Sequence, residues 1–144
     1  MIDVENKIFK LIYDAAMAHS SDIYVTTESA TAPPSFPAVY VEFVDNYVPT
    51  RYHVSSRTEI YAAVTVDVEV YCNSPSGKRA EAKSILSDID AVLAVQGFRR
   101  SSMNYTDLTD NRNSSVSNRN QSIIRLLGRY EVLVDQNGNF YSRR

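Results

Sequence analysis

The chain contains a single cysteine, Cys72, and no tryptophan among its 144 residues. A lone cysteine excludes an intramolecular disulfide and a cysteine-based zinc site within one subunit, and it suits a reducing cytoplasm. Glycine is scarce too: there are only four, and they form neither a G-x-S-x-G elbow nor a dinucleotide-binding fingerprint. No run approaches the roughly 18 consecutive apolar residues that a membrane span needs. The N-terminal MIDVENKIFKLIYDAAMAH mixes acids and lysines into its apolar positions, so it lacks the basic start and apolar block of a signal peptide, and folding in the cytosol is expected. Positive charge is not in excess either. A formal net charge of -2 leaves no surplus of Lys and Arg to neutralise phosphates, so nucleic-acid binding is not the default.

What is present suffices for one core. Hydrophobic residues make up 44% and charged residues 22%, both ordinary for globular proteins, and the length fits a single domain over 1–144 with no linker. In the first segment Val4, Ile8, Leu11, Ile12, Ala15 and Ala16 recur at three- and four-residue steps, which predicts an amphipathic helix over about 3–19 with Asp3 placed to cap its first turn. DIYVTTE alternates and predicts a short strand, and the prolines of ATAPPSFP then impose a loop. AVYVEFVD, from Ala38 to Asp45, predicts a second strand.

The clearest period-two signal runs from Thr58 to Cys72. Ile60, Ala62, Val64, Val66, Val68, Val70 and Cys72 share one face, and Glu59, Tyr61, Thr65, Asp67, Glu69 and Tyr71 share the other, which reads as the solvated side. Ala82, Ile85, Leu86, Ile89, Val92 and Leu93 return to helical spacing over about 76–95, with Gly97 where a left-handed cap belongs. FRRSSMNY is a further strand candidate, and TDNRNSSVSNRNQS is too polar to join a core, so a mobile loop is expected at about 109–121. Ile124, Leu126, Tyr130, Val132 and Val134 form the apolar face of a last long strand. Asn137-Gly138 then predicts a two-residue hairpin turn with positive φ at both positions. The expectation is an α+β fold, a mixed or antiparallel sheet with a long hairpin against two amphipathic helices, in the order α-β-β-β-α-β-β.

Chemical constellations are few. CNSPSGKR lacks the first glycine and the final hydroxyl of a phosphate-binding loop, since Cys72 and Arg79 stand in those places. Gly77 then reads as the loop before a helix, in whose first turn Lys78 and Arg79 oppose the dipole. Cys72 continues an apolar strand face and reads as a small buried hydrophobe. Asp67 and Glu69 share a strand face, and His19 and His53 lie in different elements; the bland reading is solvated acids and surface histidines, with no metal or other cofactor. An enzyme whose site forms between subunits from Asp67, Glu69 and His53 is the alternative of a different class. Arg112, Arg119, Arg125, Arg129, Arg143 and Arg144 make the last third basic, which a solvated loop and paired strand charges explain better than a nucleic-acid surface.

Two features point to contacts between chains. Ten tyrosines beside no tryptophan are unusual, and tyrosine suits surfaces that meet. A strand unbroken over 58–72 would span roughly 50 Å at about 3.3 Å per residue, whereas a domain of this size is roughly 35–40 Å across. Such a strand must bulge, or its hairpin must project and be covered by an assembly. Tyr47, Arg51, Tyr52, Tyr61, Arg112 and Arg119 are the interface candidates.

FPAVYVEFVDN, VDVEVYCNSPSGKRAEAKSILSDID, QGFRR and LLGRYEVLVD with a final FYSRR resemble the small tail terminator or neck proteins of long-tailed bacteriophages, from about Phe36 to the C-terminus. The resemblance implies an α+β subunit of a homo-oligomeric ring, commonly of six copies, in the virion tail or neck and assembled in the host cytoplasm. Such a ring ends polymerisation of the tail tube protein and joins the tail to a head completion or stopper protein. No cofactor or membrane is implied, and DNA only passes through the lumen. A head-tail connector is the neighbouring possibility.

Overall fold

A computed structural model of the chain describes residues 1–28, 33–48, 61–108 and 123–142. Its order is α1 (Glu5–His19), β1 (Tyr24–Thr26), β2 (Ala38–Tyr47), β3 (Tyr61–Cys72), α2 (Lys78–Val95), β4 (Arg99–Asp107), β5 (Ile124–Asp135) and β6 (Phe140–Tyr141). The α+β class is the one expected, and the order agrees through β5; β6 is one strand more than the expected order. The sheet runs β1-β2-β3-β5-β4, with β6 alongside β5. Only β1 and β2 are parallel; every other pairing is antiparallel, so the sheet is mixed.

Both helices lie on one face of the sheet and share its core. Ile8, Ile12 and Ala16 of α1 and Ile85, Leu86, Ile89 and Leu93 of α2 join Val39, Val41, Val66, Val68, Val70, Leu126 and Val132 in one buried cluster. Burial of this apolar surface, at roughly 25 cal/mol per Å², is what holds the two layers together. The helix spacing read from the sequence therefore names the packed stripe of each helix.

Helix ends show the local chemistry. Val4, not Asp3, is the N-cap of α1, but the Asp3 carboxylate still accepts a hydrogen bond from the Glu5 amide at 3.1 Å. At the end of α2, Gly97 takes a φ of +100°, its amide donates to the Ala94 carbonyl, and the Phe98 amide donates to the Leu93 carbonyl. This is the paired closure of a left-handed helix terminus, sealed by buried Phe98 and Leu93. Arg79, in the unfavourable first turn of α2, stacks its guanidinium 4.0 Å from the Tyr105 ring centre on β4.

Two expectations are corrected. β3 is buried on both faces: Thr65, Asp67 and Glu69 are buried along with the valines between them. It lies between β2 and β5, so the outward acids meet neighbouring strands and not water. The Asn137-Gly138 turn does not have two positive φ angles, since only Gly138 has one. Instead Asp135 organises a longer turn: its carboxylate accepts from the amides of Asn137 at 2.8 Å and Asn139 at 2.9 Å, and the Gly138 amide donates to its carbonyl. In the β2–β3 pairing the register slips between Phe43 and Asp45, which leaves Val44 as a bulge; the tip of that hairpin lies outside the described residues. Ile60, His53 and the loop at 109–121 lie outside the described residues.

Candidate interaction surface

The sheet face opposite the helices has no second layer among the described residues. Strand register fixes what it presents. Asp67 stands opposite Arg129 on one side and Glu42 on the other, Tyr71 opposite Arg125, and Thr65 opposite Glu131. These cross-strand rows place an ion-pair block across the middle of the face.

The Asp67–Arg129 pair is bidentate, with Nε to Oδ1 at 2.8 Å and Nη2 to Oδ2 at 2.9 Å. Arg125 Nη1 donates to Glu69 Oε1 at 3.0 Å, and the Tyr71 hydroxyl donates to Oε2 at 3.4 Å. The acids are sealed beneath the arginines: the Asp67 side chain is 6% exposed and that of Arg129 45%. Over Asp67 and Glu69 the face therefore presents guanidinium groups, with exposed Glu42 beside them. Buried carboxylates held this way stabilise only while their partners stay in place. Arg125 Nε is itself buried and has no hydrogen-bond acceptor.

Burial is the largest influence on Glu69 and raises its carboxyl above the usual value, with Arg125 acting in the opposite direction. A raised acid binds more protons in the folded state than in the unfolded state. Its contribution is then fully present below the unfolded value of 4.5 and is lost as pH rises through the folded value. Glu69→Gln is expected to remove that downward slope, so the stability of the native chain relative to the variant falls between pH 4.5 and neutrality. Urea unfolding of both chains across that window checks it; a difference that stays flat or rises contradicts the assignment. Arg129 is raised in turn, first by its hydrogen bond to Asp67.

Tyrosines bracket the ion-pair block. Tyr40 and Tyr71 stand at one end, and Tyr47, Tyr61 and Tyr141 at the other, where the Tyr61 and Tyr141 rings meet edge to face at 6.2 Å. Of the six interface candidates, the structure brings Tyr47 and Tyr61 to this same end; Arg51, Tyr52, Arg112 and Arg119 lie outside the described residues. Arg125 and Arg129 are paired strand charges, as the sequence reading had it, but that reading did not place their partners. Their four-residue spacing against Asp67, Glu69 and Tyr71 on the facing strand was the signal that could have found them.

The remaining candidates have structural roles. Cys72 is buried, and its thiol is pushed well above its usual range by burial first and by a hydrogen bond to Glu81 second. His19 Nδ1 pairs with Asp88 Oδ2 and ties α1 to α2. Among the described residues no cluster of three or more His, Cys, Asp or Glu could hold a metal ion, and no helix is long and apolar enough to cross a membrane.

The fold and this face define a small α+β protein with an open sheet surface of tyrosines and arginine-covered acids. No family model matches the chain, and no curated protein matches it in sequence.

Proposed function

We propose that the chain is a structural phage subunit that caps the tail tube as a homo-oligomeric ring, ends tail polymerisation and joins the tail to the head. The observation that carries this is the open sheet face. A five-tyrosine, arginine-topped surface with no second layer among the described residues is chemically an interface, since tyrosine and arginine are the side chains most enriched where proteins meet. Its buried acids, Asp67 and Glu69, are committed to ion pairs, so contact and not proton transfer is the work it is fitted for. The α+β order and the sequence resemblance support the same reading. Capping is geometric: one side of the ring binds the last tube ring, and the other offers no surface for a further one.

The test is to disrupt the gene in its phage and image the lysate. Abnormally long tails without heads are the expected result. Full heads beside normal free tails indicate a head-side connector, and normal particles rule out both roles.

A further inference from the structure

Strand register sets a short side chain between two tyrosines at one corner of the open face. Tyr24 of β1 stands opposite Ala38 of β2, and Ala38 stands opposite Tyr71 of β3, so the three form one cross-strand row. Tyr40 follows in the next row, opposite Thr26. Residues of one row share a face of the sheet, and a methyl group between two rings leaves space. A cavity of about 30 Å³ opens there, which Ala38 lines together with Tyr24, Tyr40, Tyr71, Glu28 and Pro33. Its charge has one sign. Glu28 is the only charged residue among the described ones that line it. The Glu28 amide donates to Thr26 Oγ1 at 3.0 Å, while its exposed carboxylate has no partner among the described residues. The four residues after it, SATA, carry no charge in the sequence. Arg125 stands opposite Tyr71 on β5, but Glu69 holds it at 3.0 Å and offsets it.

We infer that this cavity takes the ammonium group of a lysine side chain carried by the protein that meets the open face. This rests on the reading of that face as a contact surface, and it names one group that the partner sets there. The lining selects a cation: tyrosine offers an electron-rich ring face and a hydroxyl oxygen that accepts, and Glu28 adds a negative charge. Size selects the ammonium. A water-sized group needs roughly 10–15 Å³, so a cavity of about 30 Å³ admits a compact ammonium. The broader, planar guanidinium of arginine fits it less well. Size also selects the source. Free small ligands occupy pockets of roughly 300–1,000 Å³ that bury most of their surface. A cavity this small encloses only the tip of a group whose remainder is held elsewhere, as a side chain is. The apolar stem of the lysine can then lie along the tyrosine rings and Pro33.

The probe is Nα-acetyl-lysine methylamide, titrated into the full chain with isotope-labelled tyrosine rings and followed by NMR. Its norleucine counterpart, which keeps the stem and lacks the charge, and its arginine counterpart are run beside it. Saturable shifts at Tyr24, Tyr40 and Tyr71 are expected from the lysine probe, with Tyr61 and Tyr141 at the far end of the face unmoved. The norleucine probe should give none, and the arginine probe should bind severalfold more weakly. Glu28→Gln, an exposed change, should weaken binding of the lysine probe severalfold. Ala38→Val should abolish it with every charge kept, because it fills the gap between the rings with a side chain that suits a strand. Equal shifts from the norleucine probe, tighter binding of the arginine probe, shifts spread evenly to Tyr61 and Tyr141, binding unchanged in both variants, or no shift at all overturns the site. If the titration fails while gene disruption still gives overlong tails, the lysine site falls and the tail reading stands. If the titration succeeds while disruption leaves normal particles, the site stands and the tail reading falls.

Discussion

Ile89→Ala is expected to destabilise the chain by about 2–5 kcal/mol, the range for truncating a large aliphatic side chain inside a core. Ile89 is fully buried in the middle of α2, and its helix packs against β3, β5 and α1. It belongs to the same cluster as Val66 and Val68 of the central strand and Ile12 of the other helix, so the cavity would open where both layers meet. The surroundings are strands locked by pairing on both sides, which collapse poorly into a void; this places the effect in the upper part of the range. Native domains are stable by only about 5–15 kcal/mol, so the loss would remove about a quarter or more of the total. Equilibrium urea unfolding measures it, and a change below about 1 kcal/mol contradicts the packing of that helix face.

Ile89 was legible from the sequence because a helix on a sheet buries one stripe, and the stripe recurs at three and four residues. The apolar face of β3 was legible for the same kind of reason, since its alternation from Ala62 to Cys72 needs no knowledge of neighbours. The other face of that strand was not. Asp67 and Glu69 at alternate positions look like solvated acids until strand order places β3 between β2 and β5 and brings Arg129 and Arg125 over them. Alternation reports which side of a strand a residue takes, but whether that side meets water depends on pairings remote in sequence. The turn after β5 failed for a related reason. Asn137-Gly138 suits a tight turn by itself, yet the Asp135 carboxylate, accepting from the Asn137 and Asn139 amides and from the Asn139 side chain, stabilises a longer one. Of the surface itself, the tyrosine excess hinted that contacts mattered, while the gathering of five tyrosines on one face required the register.

Tyr130→Ala is expected to have the largest effect of any single truncation, about 3–5 kcal/mol, the range measured for buried aromatic side chains. Tyr130 is the largest of the fully buried side chains, at 1% exposure. Its place is prepared from two sides. Two residues earlier on the same strand face, Gly128 leaves room for the ring: a Cβ there would lie 3.0 Å from Tyr130 Cε2 and 3.2 Å from Leu86 Cδ2. At its far end the hydroxyl donates to Asp90 Oδ1 at 2.9 Å, and Arg100 Nη1 donates to the same oxygen at 3.2 Å. Burial first, and then this bond to Asp90, push the phenol far above its usual range, so it stays a neutral donor at every working pH. One ring thus joins β5 to α2, and through Asp90 and Arg100 to β4. Tyr130→Phe separates packing from bonding: it keeps the ring, and Asp90 keeps Arg100, so the loss should fall to about 0.5–1.5 kcal/mol, that of one hydrogen bond. Because β4 is anchored through this contact, Tyr130→Ala should also loosen it, and amide hydrogen exchange in residues 99–107 should quicken more than in β2. Equal losses for the two variants, or exchange that quickens evenly across the sheet, would show that the ring does not link these elements.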